Sequence, residues 1–243
     1  MATKSKKSSP ILESPILELK NVSKIYHLGN QTIKALDKIN LTINQGDFIS
    51  IVGSSGSGKS TFLQIASMLA EPTSGTTLLK SKDVTHYNEP ERARLRNKEI
   101  GFIFQQFNLL PRSTALENVA LPLIYANVDE KERLSKSKEV LKLVGLGDRL
   151  YNRPNQLSGG QQQRVAIARA LVNEPSIVFA DEPTGNLDSK TGDEIKKILK
   201  KLHQQGKTIL MVTHEEELAD IAEKTICLKD GKIIQTRACN DQK

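Results

Sequence analysis

Nine consecutive residues, Gly53-Ser54-Ser55-Gly56-Ser57-Gly58-Lys59-Ser60-Thr61, restrict this chain more than any other segment. They satisfy the spacing G-x-x-x-x-G-K-[ST] and directly follow the apolar run Phe48 to Val52, which reads as a short buried strand. Glycine is needed there because the loop must wrap phosphate groups with its own N–H donors, in conformations that a side chain forbids. After the loop, Phe62, Leu63, Ile65, Ala66 and Leu69 recur at helical spacing, so the partial positive charge of a helix N-terminus faces the same anion. Lys59 is expected to reach the β- and γ-phosphates. Ser60 is expected to coordinate magnesium, which takes oxygen ligands shared among protein, water and phosphate.

Other apolar runs, Ile100 to Phe104, Ile177 to Ala180 and Thr208 to Thr213, are bounded by polar or glycine positions and flanked by helical patterns. That alternation predicts an α/β fold with a parallel sheet and helices on both of its faces. Nearer the start, Ile16 to Lys20 and Ile39 to Ile43 read as strands of a hairpin-like unit, broken at Gly29-Asn30 and Gln45-Gly46. Between the strands near residues 104 and 177, Leu134, Leu141 and Val144 recur at helical spacing and Gly145 and Gly147 stop the run, which predicts an inserted helical subdomain.

At 243 residues the chain needs no disulfide or zinc staple, and Cys227 and Cys239 lack C-x-x-C spacing. No stretch approaches the ~20 apolar residues of a spanning helix. The first 15 residues, rich in Lys and Ser, have no apolar core of a secretory signal, so a flexible tail in the cytosol is expected. Of the net charge of +7, three units, Lys4, Lys6 and Lys7, lie in that tail. The body is then only modestly basic, without an arginine stripe interleaved by aromatics, and nucleic acid is not the expected partner. For the tail itself, a solvated end and a contact with anionic lipid both stay open.

Asp181 and Glu182 close the Ile177 to Ala180 strand, at the carboxyl edge of the sheet where α/β sites lie. Asp181 would hold magnesium through water and Glu182 would polarise an attacking water. Acids at a strand end are otherwise solvated loop starts; the glycine loop upstream favours the functional reading.

The run Leu157-Ser158-Gly159-Gly160-Gln161 resembles the signature of the ABC-type ATPases, and the resemblance covers nearly the whole chain after residue 16. Independently, Ser158 and the glycine pair precede a helix carrying Val165, Ala168 and Val172, so unpaired N–H groups are expected at its mouth. The resemblance implies a P-loop ABC ATPase with a RecA-like parallel-sheet core at 16–104 and 167–243, an antiparallel β subdomain, and an α-helical subdomain at about 105–166. Its cofactors would be ATP and Mg²⁺. Further residues then take roles that the family implies. Tyr26, 27 residues before Gly53, looks like the aromatic that stacks on adenine, a core tyrosine being the alternative. Gln105 looks like the glutamine that touches Mg²⁺ and water, with Gln106 a structural neighbour. Asp188 resembles the loop aspartate that communicates across the dimer, or is simply a helix N-cap. His214 resembles the switch histidine on the γ-phosphate, or is a strand-end residue without a role.

In that family two copies pack in opposite orientation, and each nucleotide lies between one P-loop and the other copy's signature run. A homodimer in the ATP state is therefore implied. The runs Phe104 to Pro111, Leu121-Pro122-Leu123 and Pro183 to Asp188 look like the branch that holds the LolD-, MacB- and FtsE-type proteins, and the absence of a long permease segment is nearer to free-standing LolD-type subunits. That implies a separately encoded membrane permease, peripheral attachment at the cytoplasmic face of the inner membrane, and export of lipoprotein, peptide or drug-like cargo. An FtsE-like ATPase regulating a periplasmic enzyme is the alternative. The 96 residues between Thr61 and Ser158 are too few for the coiled-coil arms of a DNA-repair ABC protein, and a translation factor would usually carry a second cassette. Two departures from the family pattern, Asp47 and Glu215, replace one acid by the other.

Overall fold

The computed structural model describes residues 15–29 and 31–238; the predicted tail, apart from Pro15, and Cys239 lie outside them. Two sheets organise the chain. The first is antiparallel, in the order β2-β1-β4-β5, from β1 (Pro15–Leu28), β2 (Gln31–Asn44), β4 (Ser74–Leu79) and β5 (Lys82–Asp83). The second has the order β10-β9-β3-β8-β7-β6, from β3 (Phe48–Val52), β6 (Ile100–Ile103), β7 (Ile177–Asp181), β8 (Thr208–Val212), β9 (Lys224–Lys229) and β10 (Lys232–Ala238). Its pairings from β9 to β6 are parallel and only β10 runs antiparallel, at the edge.

Period-two alternation explains why the second sheet sits at the centre. In β7, Val178 and Ala180 enter one core, while Ile177 and Phe179 enter the other; in β8, Ile209 and Met211 separate in the same way from Leu210 and Val212. The first core is closed by the helices α3 (Ala115–Tyr125), α4 (Glu130–Leu143), α5 (Gly159–Leu171) and α6 (Ser189–Gln204) through Val119, Leu141, Val165 and Ile195. The second is closed by α1 (Lys59–Ala66) together with the antiparallel sheet, through Phe62, Ile65, Leu17 and Ile39. Helices therefore cover one face, and a helix plus a sheet cover the other. The remaining helices are α2 (Glu89–Glu99) and the short α7 (Glu216–Ala219).

Helix ends follow local chemistry. Asn88, Thr114 and Ser158 each cap a helix, and each is answered by a Glu or Gln three residues on. At the end of α4, Gly145 takes φ +75°, the amide of Leu146 donates to the Leu141 carbonyl at 2.8 Å, and that of Gly145 to Lys142 at 3.0 Å. This is a Schellman closure, with Leu141 and Leu146 both buried. The expected run from Phe62 to Leu69 is shorter in the structure: α1 ends at Ala66, Met68 turns to φ +58°, and Leu69 is 45% exposed. The amides of Leu69 and Ala70 both donate to the Gln64 carbonyl, which ends the helix before Leu69 can join its buried face.

Candidate active site

The glycine loop is held by contacts that only glycine permits. Gly58, the N-cap of α1, has φ +104°, and a Cβ there would lie 2.5 Å from the Ala35 carbonyl oxygen. A Cβ on Gly53 would lie 2.3 Å from the Leu228 carbonyl oxygen and 2.5 Å from Ser57 Oγ. Gly56 sits at φ +78° in open space. Lys59 Nζ donates to the carbonyls of Gly53 (2.7 Å) and Ser54 (2.9 Å), spanning the base of the loop. Ser57 is buried with no partner for its Oγ, while its carbonyl accepts from the Gly231 amide at 3.0 Å.

A cleft of about 760 Å³ opens over this loop, lined by Gly53 to Gly56, Gly58 to Thr61, Glu182 and His214. Ile33, Lys34, Ala35, Asp230 and Gly231 complete the wall. These five are the residues that motif reasoning missed. The signal for two of them is the Asp230-Gly231 pair, at φ +47° and +73°, a turn type that favours Asp-Gly between paired strands. Gly231 also accepts from the Asp37 amide at 2.8 Å, so one turn ties the phosphate loop to the antiparallel hairpin.

Asp181 ends β7, and burial, with the nearby Glu182 charge, raises its pKa, partly opposed by Lys59. Glu182 takes φ +44°, with its amide donating to the Val212 carbonyl at 2.9 Å, and this left-handed turn aims its side chain into the cleft. His214 Nδ1 lies 2.7 Å from Glu182 Oε1 and 2.6 Å from Oε2. Strand ends of β7 and β8 thus bring the two residues together from 32 positions apart.

The other expected residues stand around this cleft rather than in its wall. Tyr26 pairs with the lining residue Ile33 across the hairpin, and Lys24 Nζ lies 5.3 Å from its ring centroid. Gln105 follows β6; its backbone carbonyl accepts from Asn186 Nδ2 at 2.9 Å, and its side-chain Nε2 would be 2.8 Å from a Cβ on Gly185. Ser158 caps α5: its amide donates to Gln161 Oε1 at 2.9 Å, and its Oγ accepts from the Gln161 amide at 3.3 Å. That corrects the expectation of a mouth of free N–H groups, since the side chains of Ser158 and Gln161 occupy two of them and leave Gly159 and Gly160. A Cβ on Gly160 would lie 2.0 Å from Thr191 Cγ2. Thr191 in turn is held by Asp188, which accepts from its amide at 3.0 Å and its hydroxyl at 2.6 Å. Asp188 is the N-cap of α6, and those bonds hold its carboxyl below the usual aspartate range. Signature run and Asp188 are therefore one packed unit, set apart from the cleft lining.

The ABC transporter family matches residues 36–185, which contain the glycine loop, the signature run and both strand-end acids. The chain belongs to that family. It is an ABC-type ATPase and ATP-binding subunit. An uncharacterized ABC transporter ATP-binding protein of Thermotoga maritima is 53% identical over 218 residues, covering 90% of this chain and 93% of that protein. The macrolide export ATP-binding/permease protein MacB of Chlorobaculum tepidum is 49% identical over 226 residues, and this chain spans 35% of its length. Among solved structures, the dimeric post-hydrolysis state of the cassette MJ0796 bound to ADP and Pi superposes with a TM-score of 0.84 at 48% identity, covering 92% of this chain and 98% of that one. No helix among the described residues is long and apolar enough to cross a membrane.

Proposed function

We propose that this ATPase works as a nucleotide-driven homodimer, each ATP lying between the Gly53–Thr61 loop of one copy and the Ser158–Gln161 run of the other, coupled to a separate membrane permease. The pairing of Glu182 with His214 in the wall of the glycine-loop cleft carries the hydrolytic part of this reading, and the likeness to a dimeric cassette supports the dimer. Glu182 accepts a proton from water as the water oxygen bonds to the γ-phosphorus, while the bond from that phosphorus to the β–γ bridging oxygen breaks, leaving ADP and phosphate. His214 orients Glu182 and the water at the γ-phosphate. Lys59 neutralises the β- and γ-phosphates, and Ser54 to Gly56 offer backbone N–H donors. Tyr26 supplies the adenine platform from the hairpin. Asp188 braces the partner-facing signature run through Thr191.

The donor set fits Mg²⁺: a serine hydroxyl on a loop whose Gly53 and Gly58 admit no Cβ, with a strand-end carboxylate that feels the charge of the adjoining Lys59. Ser60, Asp181 and Gln105 would hold the ion, which when bound neutralises phosphate charge.

For the permease, a groove of about 290 Å³ between β6 and α5, walled by Ile100, Phe102, Phe104 and Pro122, offers an apolar seat. The chain would then lie at the cytoplasmic face of the inner membrane. Of the expected lipoprotein, peptide or drug-like cargoes, the likeness to a macrolide export ATP-binding/permease protein supports the drug-like one. Sedimentation of a Glu182→Gln chain with ATP and magnesium tests the core of the reading: a dimer is expected, and a monomer with saturating nucleotide overturns it.

A further inference from the structure

Arg169, on α5, is treated differently from the other arginines of this region. Arg92 and Arg96 pair with Glu89, and Arg164 faces Glu194 at 3.7 Å. Among the described residues, no carboxylate forms an ion pair with Arg169. Its guanidinium instead donates to two backbone carbonyls, those of Asn108 (2.5 Å) and Phe107 (2.8 Å). Burial alone pulls its pKa below the ordinary arginine value. A half-buried cation without a counter-charge is costly unless its donors are well placed, and the two carbonyl oxygens take that place here.

The carbonyls belong to an unusual turn. Phe107 has φ +59° and Asn108 φ +50°, two consecutive left-handed residues, neither of them glycine. The turn begins at Gln105 and continues to Leu110, whose amide and carbonyl are held by the buried Asn118 of α3 at 2.7 and 3.2 Å. On its near side, the Gln105 carbonyl is tied to Asn186. The Phe107 ring also faces the signature run: a Cβ on Gly159 would lie 3.8 Å from Phe107 Cζ.

We propose that Arg169 is a positioning residue for ATP hydrolysis, its two-pronged grip on the Phe107-Asn108 turn setting Gln105 toward its own nucleotide and Phe107 against the signature glycine offered to the partner's. The proposal rests on the roles given above to Gln105 and to the signature run. Strain in the turn would open it without the fork, and Gln105 would leave its register by the ångström-scale shift that catalysis does not tolerate. A lysine in place of Arg169 keeps the charge and the stem but presents a point donor rather than a planar fork.

The test is steady-state ATP hydrolysis by the full chain, with KM for ATP measured beside kcat. Arg169→Lys is expected to lower kcat roughly ten-fold or more while KM changes less than about two-fold, because the phosphate cradle is untouched. Asn108→Pro, an exposed position with Arg169 intact, bars the left-handed conformation and is expected to give the same split. It answers for the proposal if the lysine variant does not fold. Combining Arg169→Lys with Gln105→Ala is expected to cost less than the product of the two single losses, the excess over Gln105→Ala alone being the share carried by Phe107. Losses that multiply, or wild-type kcat in a folded Arg169→Lys, overturn the clamp, as does wild-type kcat in Asn108→Pro where the lysine variant does not fold. A slow Gln105→Ala beside a silent Arg169→Lys removes the clamp alone, whereas a silent Gln105→Ala removes the role of Gln105 and the clamp with it.

Discussion

Both carboxylate oxygens of Glu182 lie within hydrogen-bonding range of one imidazole nitrogen, Nδ1 of His214, at 2.7 and 2.6 Å. The imidazole thus fixes the carboxylate at the glycine-loop cleft, where the proposed water-activating step needs it. Glu182→Gln should cut turnover by ~10² to 10⁴ with nucleotide binding retained. Phosphate-release kinetics check this, and unchanged turnover would remove the general-base role.

His214→Ala should lower kcat by about ten- to a hundred-fold, because the carboxylate loses the partner that fixes its rotamer. His214→Gln, which can still donate to Glu182, should retain part of the activity. Equal loss in both variants would mean that the ring acts in some other way than by orienting Glu182.

Asp181 predicts a trade of stability for function. Its pKa is raised on folding, so the native state binds the proton more tightly than the unfolded chain does. Stability then falls as pH rises from the ordinary aspartate value of 3.8 through the raised native one. Asp181→Asn should remove that slope, melting higher than wild type at neutral pH with a gap that closes on acidification, while losing magnesium-dependent hydrolysis. Thermal melts across pH read it, and a gap that widens in acid would contradict the burial argument.

Gly160→Ala should cost about 1–3 kcal/mol, since the added methyl overlaps Thr191 Cγ2. Thr191→Ser deletes that methyl yet keeps the hydroxyl bonded to Asp188, so the alanine should be better tolerated in that background. Urea denaturation of the single and double variants decides; identical losses would place the strain elsewhere.

Leu69→Glu should abolish co-purification with the permease and spare basal ATP hydrolysis, because Leu69 lines the groove, is 45% exposed and lies outside the helix that carries the glycine loop. Retained co-purification would move the seat to another face.

The glycine loop, its strand and the strand-end acids were legible because each is local: a short run carries the turn, the cap and the chemistry together. Ile177 to Asp181 was legible for the same reason, and the signature run was legible through its resemblance to the family motif. What escaped was created by contacts distant in sequence. Lys34 and Ala35 carry no local signature, and they reach the cleft because the hairpin is strapped to Gly231. Leu69 kept the helical spacing, but the backbone reversal at Met68 took it out of the helix. The free amides expected at Ser158 were fewer because Gln161 sits three residues on, a reciprocal capping pattern present in the residues themselves.

The division of β7 between two cores bears on more than packing. Ile177 and Phe179 face one way and Val178 and Ala180 the other, so deleting a single residue upstream of Asp181 would not simply shorten the strand. It would turn the remainder over, exchange the two apolar surfaces, and rotate the carboxylate pair away from its place beside the glycine loop. Spacing along this strand is thus as exacting as the identity of the acids at its end, and indels there should be rarer than substitutions.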